Sequence, residues 1–551
     1  MKKLLLYFAL MMLPLAASAY DVRIDGVTYS LYPEDNTAEV ISASHYFGDH
    51  LTIPETITYD GVVYRVTGIG RWAFMRSELT SISIPNSVTT IPISAFEGSK
   101  LTSITIPGSV KSIEEKAFEG CDSLKKVIVP DIAAWCGIKF KSPPSNPLTY
   151  AHHLYSDENT EIKDLVIPDN VTMISKYAFS GCSGLTSVTF SENFESIFDY
   201  AFRDCSGLTS VNFDNVKALY TGAFFGCSGL TSLTMNITVR SYGFANCTGL
   251  TSVTANRGIF SYGFANCTGL TSVTLNCDVG SYGFANCTGL TSVTFGDSVT
   301  KVGDNAFAGC PSQTSLVLPE LATIGDDAFV DFKLENVLTK GTTTKFQNAF
   351  SDRTYQHAML YIPEGTWAEA VYEGSWYMFN NIREVAMTPE SLSPGITYTL
   401  MDAKTFGYAT YDEASNGVRM AKAFYCIDEK DANNIWQVKS QGGRRYLYNK
   451  GSGKYASIAS DGHILLSETP VEIEMTETDN GIMLGTDSSR RWAFINNGSH
   501  SDAMGIDGQS AVLGQEPSCC YTLDGQHQTQ PKRGLNIIKM NNGTTKKVII
   551  R

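Results

Sequence analysis

The feature that most constrains this chain is a phenylalanine that returns at a nearly fixed interval. It stands at Phe74, Phe96 and Phe118, and again at Phe179, Phe202, Phe224, Phe244, Phe264, Phe284, Phe307, Phe329 and Phe350. Within each run the steps are 20 to 23 residues. The surrounding sequence repeats as well. SYGFANCTGLTSVT occurs unchanged at 241–254, 261–274 and 281–294, flanked by looser copies. Such a period is the signature of stacked coils. One coil cannot bury its own apolar edge, whereas a stack buries a continuous core. A chain of 551 residues is too long for one compact core, which agrees with an array.

The spacing inside a repeat assigns its parts. In the series Phe179, Cys182, Leu185, Val188, Phe190, apolar residues recur every three positions and then every two. A three-step period suits a tight helical turn, and a two-step period suits a short strand. Each repeat is therefore expected to be one coil of strand, turn and irregular or 3₁₀ segment. The array should hold about twelve coils. Alternation turns Leu185, Val188 and Phe190 inward and Ser187 and Thr189 outward. The same outward pairs are Ser210 with Asn212, Ser232 with Thr234, Ser252 with Thr254, Ser272 with Thr274, and Ser292 with Thr294. This strand face is the candidate binding face. It is rich in hydroxyls and nearly free of aromatics and charge, whereas binding hot spots favour Trp, Tyr and Arg. It reads either as a solvated strand surface or as a surface for extended chains or sugars.

The cysteines keep the same phase. Cys121, Cys182, Cys205, Cys227, Cys247, Cys267, Cys287 and Cys310 each follow a marker phenylalanine by three residues. A residue in phase with the core reads as a small buried hydrophobe. Stacking also brings successive thiols near disulfide reach, and export would permit pairing. The total of 13 is odd, so at least one thiol is free or pairs with another chain.

The N-terminus reads as a secretory signal over residues 1–19: Lys2 and Lys3, an apolar stretch from Leu4 to Leu15, then Ala17-Ser18-Ala19. Cleavage would start the mature chain near Tyr20, secreted or on the outer cell surface. No later run is apolar enough for about 20 residues to span a bilayer. The net charge of −14 argues against nucleic acid and anionic membranes as partners.

The repeat is similar to the BspA-type (Treponema-type) leucine-rich repeat family of bacterial surface proteins. The segment Asp60–Gly70 (DGVVYRVTGIG) resembles that family's entry into its first repeat. Ile132–Gly137 (IAAWCG), Ser145–Leu148 (SNPL) and Leu165–Pro168 (LVIP) resemble its longer irregular repeat, which accounts for the gap between Phe118 and Phe179. Two departures stand out: the 20-residue copies lack the usual Ile-Pro strand end, and the copies near Phe329 and Phe350 lose the cysteine. The resemblance implies an adhesin or host-interaction protein, but a fold does not fix a ligand.

After Ala386 the period stops. Tyr398–Leu400, Tyr446–Tyr448 and Trp492–Phe494 begin comparable stretches 48 and 46 residues apart. Three such units suit a β-trefoil, with a small β-sandwich as the alternative. Tyr446–Tyr455 (YLYNKGSGKY) resembles strands of ricin-type carbohydrate-binding modules, with Trp436 as the only candidate for their QxW tryptophan. The end of the chain, Tyr521–Gln526, Pro531–Leu535 and Lys546–Arg551, resembles the close of sorting domains read by the type IX secretion system of Bacteroidetes. Asn536 stands where tyrosine is usual, and a plain terminal β-hairpin is the alternative.

The expected fold is thus α/β to mainly β, with five segments: a signal at 1–19, an N-terminal cap at 20–65, the solenoid at 66–386, an all-β module at 387–515 and a sorting-like tail at 516–551. No HExxH, GxSxG, P-loop, GxGxxG or EF-hand loop is present. His152 and His153 are the only close histidine pair, and on a strand they would face opposite ways. Carboxylates such as Asp199, Asp204, Asp304 and Asp326 read as turn residues. The sequence therefore predicts a non-catalytic binding or adhesion protein for an extracellular protein or glycan, with no cofactor and no metal. The alternatives are a carbohydrate-active hydrolase accessory and a structural surface protein with a sugar-binding module.

Overall fold

Each coil presents two strand positions and one turn. In the computed structural model the strands Ser232–Met235, Ser252–Ala255, Ser272–Leu275 and Ser292–Phe295 run parallel, with Leu233, Val253, Val273 and Val293 in register. A second ladder of single bridges links Val239, Ile259 and Val279. The turn then passes through the marker phenylalanine. Earlier coils repeat this plan with two-residue second strands such as Met173–Ile174, Ser196–Ile197 and Ala218–Leu219. The structure describes residues 19–387 continuously, then 397–402, 407–412, 417–422, 431–441, 444–459, 463–478, 481–485, 492–496, 517–522, 527–528, 534–540 and 545–550. The expected signal segment lies outside the described residues, apart from Ala19.

The turn explains the repeat's vocabulary. Tyr262 and Asn266 take φ of 60° and 61°. Asn tolerates this left-handed region because its short amide can bond locally. Other coils place Gly98, Gly120, Gly181, Gly226 or Gly309 where Asn266 stands. Between the two left-handed residues, Phe264 is buried and its N–H donates to the carbonyl of Gly283 at 2.8 Å. The rings of Phe244, Phe264, Phe284 and Phe307 stack at centroid separations of 5.4, 5.3 and 5.4 Å. Threonine at the strand entrance ties coils too: the Thr251, Thr271 and Thr291 hydroxyls donate to Thr231, Thr251 and Thr271 carbonyls at 3.0, 3.0 and 3.2 Å.

The cysteines do more than fill space. The Cys287 thiol donates to the Phe264 carbonyl of the preceding coil at 3.3 Å, and Cys205, Cys227, Cys247, Cys267 and Cys310 do the same one coil apart. The ten cysteines from Cys121 to Cys310 are free and buried. Burial pushes the Cys136 and Cys182 thiols up to about 12, and Cys277 up to about 11.

The solenoid has about 14 turns, against the expected twelve or so. Two turns lack a marker phenylalanine and use a buried tryptophan in its place. Between Phe118 and Phe179, Trp135 sits on the helix Ile132–Cys136, capped by Asp131. Its indole N–H donates to the Ala178 carbonyl at 2.9 Å, and the Asn146 amide reaches the same oxygen at 3.0 Å. In regular coils a phenylalanine N–H fills that role. After Phe350, Trp376 donates to the Gly341 carbonyl at 2.7 Å. With 35% strand and 7% helix, the fold lies at the β end of the expected range.

The chain divides into two units, residues 1–312 with 325–331, and 313–324 with 332–551. The first begins with a five-stranded sheet ordered Tyr20–Ile24, Val27–Tyr32, Thr37–Ser42, Val62–Ile69, Thr56–Tyr59, which leads into the coils. In the second, the parallel strands Ser315–Leu318, Asn336–Thr339, Met359–Pro363 and Asn381–Ala386 pass directly into antiparallel pairing, with Val385 opposite Ile495 and Ala386 opposite Phe494. The following strands form hairpins over a core that includes Tyr398, Leu400, Val438, Leu447 and Phe494. Trp436 belongs to that core, and its indole donates to the Ala409 carbonyl at 3.0 Å. This region is hairpin-rich; its described pairings do not establish a trefoil. Pro517–Thr522, His527–Gln528, Gly534–Met540 and Thr545–Ile550 form a small antiparallel sheet.

Candidate binding face

The structure brings eight of the twelve sequence-predicted residues together on one sheet, while Ser187, Thr189 and Ser210 lie on a separate one and Asn212 just beyond its strand. Ser232, Ser252, Ser272 and Ser292 form one in-register row, and Thr234, Thr254, Thr274 and Thr294 a second. All eight are half-buried or exposed, while Leu233, Val253, Val273 and Val293 between them are buried. Backbone pairing sets successive members of each row about 4.8 Å apart along the stack. Earlier coils differ. Ser187 lies opposite Asp164 and Ser210 opposite Ser187, with Thr189 and Asn212 exposed. There the Ser187 and Thr186 hydroxyls donate to Asp164 at 2.6 and 2.9 Å and hold its carboxyl below the usual range.

A third row extends the face. Alternation continues to Asn236, Asn256 and Asn276, whose amides form a chain: Asn256 donates to Asn236 at 2.8 Å and Asn276 to Asn256 at 2.7 Å. The strand period carried one position further identifies these residues, which the paired reading of Ser and Thr left out. Gly296 closes the row. A β-carbon there would come within 2.3 Å of the Asn276 side-chain oxygen, so the glycine makes room for that amide.

The aromatic and cationic side chains sit at the turns instead. Tyr242, Tyr262 and Tyr282 stack at 4.8 and 4.7 Å with their rings nearly parallel, so their faces cover one another. Phe198 stacks on Tyr220 at 4.6 Å, and the guanidinium of Arg240 lies over Phe260 at 5.3 Å. The side-chain types favoured at binding hot spots are thus present in the array, off the strand face.

The other candidate chemistry resolves into structural contacts. His152 takes φ 62°, and its Nδ1 donates to the Gly181 carbonyl at 2.9 Å; His153 Nδ1 contacts Glu161 at 2.7 Å. Asp199 accepts from the Thr221 N–H and Asp304 from the Asp326 N–H, each at 3.1 Å. Asp204 takes a left-handed turn position and pairs with Arg203. Among the described residues no group of three or more His, Cys, Asp or Glu side chains is placed to hold a metal ion.

The model of the BspA-type leucine-rich repeat region matches in six copies over residues 52–136, 154–261 and 237–357, together more than half of the chain. The chain belongs to the BspA-type leucine-rich repeat family. Among solved structures, a leucine-rich repeat protein of Bacteroides ovatus is 26% identical, with 65% of this chain and 98% of that one covered and a TM-score of 0.46. A leucine rich cell surface protein of Faecalibacterium prausnitzii is 22% identical over 67% of this chain and 95% of that one, with a TM-score of 0.37. The pneumococcal vaccine antigen PcpA is 17% identical over 66% and 98%, also at 0.37. With TM-scores below 0.5, these likenesses carry no argument, and the family model alone assigns this BspA-type chain. No curated protein matches it. Among the described residues no helix is long and apolar enough to cross a membrane.

Proposed function

We propose that this BspA-type protein is an exported, non-catalytic binding or adhesion protein that meets its ligand on the strand face of the coils. The observation that carries the reading is the grid of Ser, Thr and Asn side chains over 232–296, held in register by backbone pairing. Such a grid repeats the same donors and acceptors at about 4.8 Å along the stack. Preordered polar groups lose little entropy on binding, which suits recognition of an extended glycan or protein segment. Export follows from the N-terminal signal at 1–19, and the tail at 516–551 serves delivery to the cell surface. The five segment boundaries given by the sequence are part of the same proposal.

The test is a binding screen of the mature chain, from Tyr20 onward, against immobilised matrix proteins and a glycan array. Saturable binding at micromolar concentration or below is expected in at least one arm. No binder in either arm would count against the reading. Cleavage of a labelled glycan or peptide, lost on a single carboxylate substitution, would replace it with a hydrolase.

A further inference from the structure

The coils of 241–294 share an unchanged frame, but the six residues between successive frames differ. Residues 255–260 read ANRGIF, 275–280 read LNCDVG, and the matching residues 235–240 read MNITVR. Within that segment the inward positions stay apolar, with Met235, Ala255 and Leu275 buried. The second position is always Asn, which builds the amide chain. Chemical variety falls on the third, fourth and sixth positions: Ile237, Thr238 and Arg240; Arg257, Gly258 and Phe260; Cys277, Asp278 and Gly280, with Ile237 and Cys277 buried and the exposed variety on the others. An invariant scaffold with varied tips is what a specificity-determining edge requires, since stability and recognition then rest on different residues.

A cavity of about 340 Å³ opens at this edge. Its origin is a change in coil length. The step from Phe202 to Phe224 is 22 residues and the step from Phe224 to Phe244 is 20. The longer coil spends its extra residues on the turn around Asp214, and the shorter one cannot cover them. Phe213 and Ile237, both largely buried, supply apolar lining, while Asp214, Lys217, Asn236 and Arg257 supply polar groups. The volume is at the lower end for small-molecule sites, which suits one or two sugar rings rather than a long chain.

The charges of this cleft are not paired with each other. Lys217 is held by Glu195 at 3.1 Å. Arg257 and the Asp214 carboxylate have no partner among the described residues, although both line the same cavity. Asn236 spends its oxygen on Asn256, which leaves its own amide N–H groups to donate to a ligand. A guanidinium binds a carboxylate through two parallel hydrogen bonds. A carboxylate such as Asp214 instead accepts from hydroxyls. A saccharide residue that carries a carboxylate and free hydroxyls meets both demands. A neutral sugar would leave Arg257 unmatched, and a simple carboxylic acid would leave Asp214 unmatched.

We infer that the cleft at the step between the 22- and 20-residue coils binds a carboxylated sugar residue, with Arg257 on its carboxylate and Asp214 and Asn236 on its hydroxyls. The inference rests on the reading of the strand face as the recognition face and names the ligand class at one edge of it.

The test is calorimetric titration of the mature chain with a hexuronate disaccharide, its carboxyl-reduced neutral counterpart, sialyllactose and lactose. A carboxylated glycan is expected to bind, and its neutral counterpart to bind at least about tenfold more weakly, the loss expected when a charge-assisted hydrogen bond is removed. Arg257→Gln should erase that preference, whereas Arg240→Gln, outside the cleft, should preserve it. Melting temperatures confirm that both variants are folded. Equal binding of charged and neutral sugars, or an Arg257→Gln variant that keeps the preference, would overturn the inference. Tight binding of glutamate or another free amino acid in place of the sugars would do the same. If no glycan binds but a matrix protein does, and Thr254→Lys with Thr294→Lys abolishes that binding, the cleft inference alone fails. If nothing binds, both readings fail.

Discussion

The identical coils of 241–294 and the irregular coil through Trp135 solve one problem in two ways. Each must satisfy the carbonyl that a stacked neighbour presents at the turn. The regular coils use a backbone donor, the phenylalanine N–H, as Phe264 does with Gly283. The irregular coil uses side-chain donors, the indole of Trp135 and the amide of Asn146, both on Ala178. A backbone donor survives almost any substitution. A side-chain donor is lost with its residue. The regular part should therefore tolerate point changes better, and the irregular part should depend on single side chains.

Trp135→Ala is expected to have the largest effect. It removes a fully buried ring, costing about 3–5 kcal/mol, and one of the two donors to Ala178 as well. Phe264→Ala falls in the same range of about 3–5 kcal/mol but below Trp135→Ala, because its N–H bond remains. Since each coil leans on its neighbours, the damage should spread along the array. Urea unfolding of both variants ranks them. If Phe264→Ala proved the more damaging, dependence on single side chains would not distinguish the two regions.

A smaller effect separates backbone conformation from a second amide chain, formed at the turns by Asn246, Asn266 and Asn286. Asn266 takes a left-handed φ and donates to Asn246 at 2.9 Å. Asn266→Ala should cost about 1–2 kcal/mol, chiefly through the left-handed backbone. Asn266→Gly keeps that conformation and should cost about half as much, through the lost amide bond. Equal costs in thermal melts would mean that the amide chain, not the turn, makes Asn necessary.

A further effect, read on a pH axis rather than by substitution, is a pH dependence from the buried thiols. Folded thiols at Cys136, Cys182 and Cys277 are raised to about 11–12 by burial, while unfolded cysteine titrates near 8.5. The folded state therefore holds its protons longer. The thiol contribution is complete below about pH 8.5 and declines as pH rises toward the folded values. Unfolding midpoints at pH 7.5 and pH 9.5 should show the later decline. At pH 8 the ten cysteines from Cys121 to Cys310 should resist thiol labelling in the folded chain and react once it is unfolded, as read by mass spectrometry of the peptides.

Much of this was legible in the sequence because the period is strict. Phe264, Leu270 and Val273 reveal their burial by recurring, and Ser272 and Thr274 reveal their exposure by alternating with it. Two coils escaped the count because Trp135 and Trp376 replace the marker on which the count rests. The thiol bonds to phenylalanine carbonyls escaped because spacing reports that Cys287 is inside but not what its hydrogen meets. The cleft beside Arg257 is written in the sequence only as a shortened step, from 22 residues to 20, and a step length does not say which side chains line the gap. The antiparallel region after Ala386 was hardest to read, because its pairings, such as Ala386 with Phe494, join residues far apart in the chain.

The central claim is that this chain recognises its ligand through the polar strand face of a periodic core. The most direct measurement compares the parent with the double variant Thr254→Lys, Thr294→Lys, in both ligand affinity and melting temperature. These side chains stand on alternate strands and point away from the core. The account predicts a loss of affinity of at least about tenfold, or 1.4 kcal/mol, with melting unchanged within a degree or so for a surface substitution. Unchanged affinity in a folded double variant would contradict it and move recognition to the tyrosine edge or to the region after Ala386.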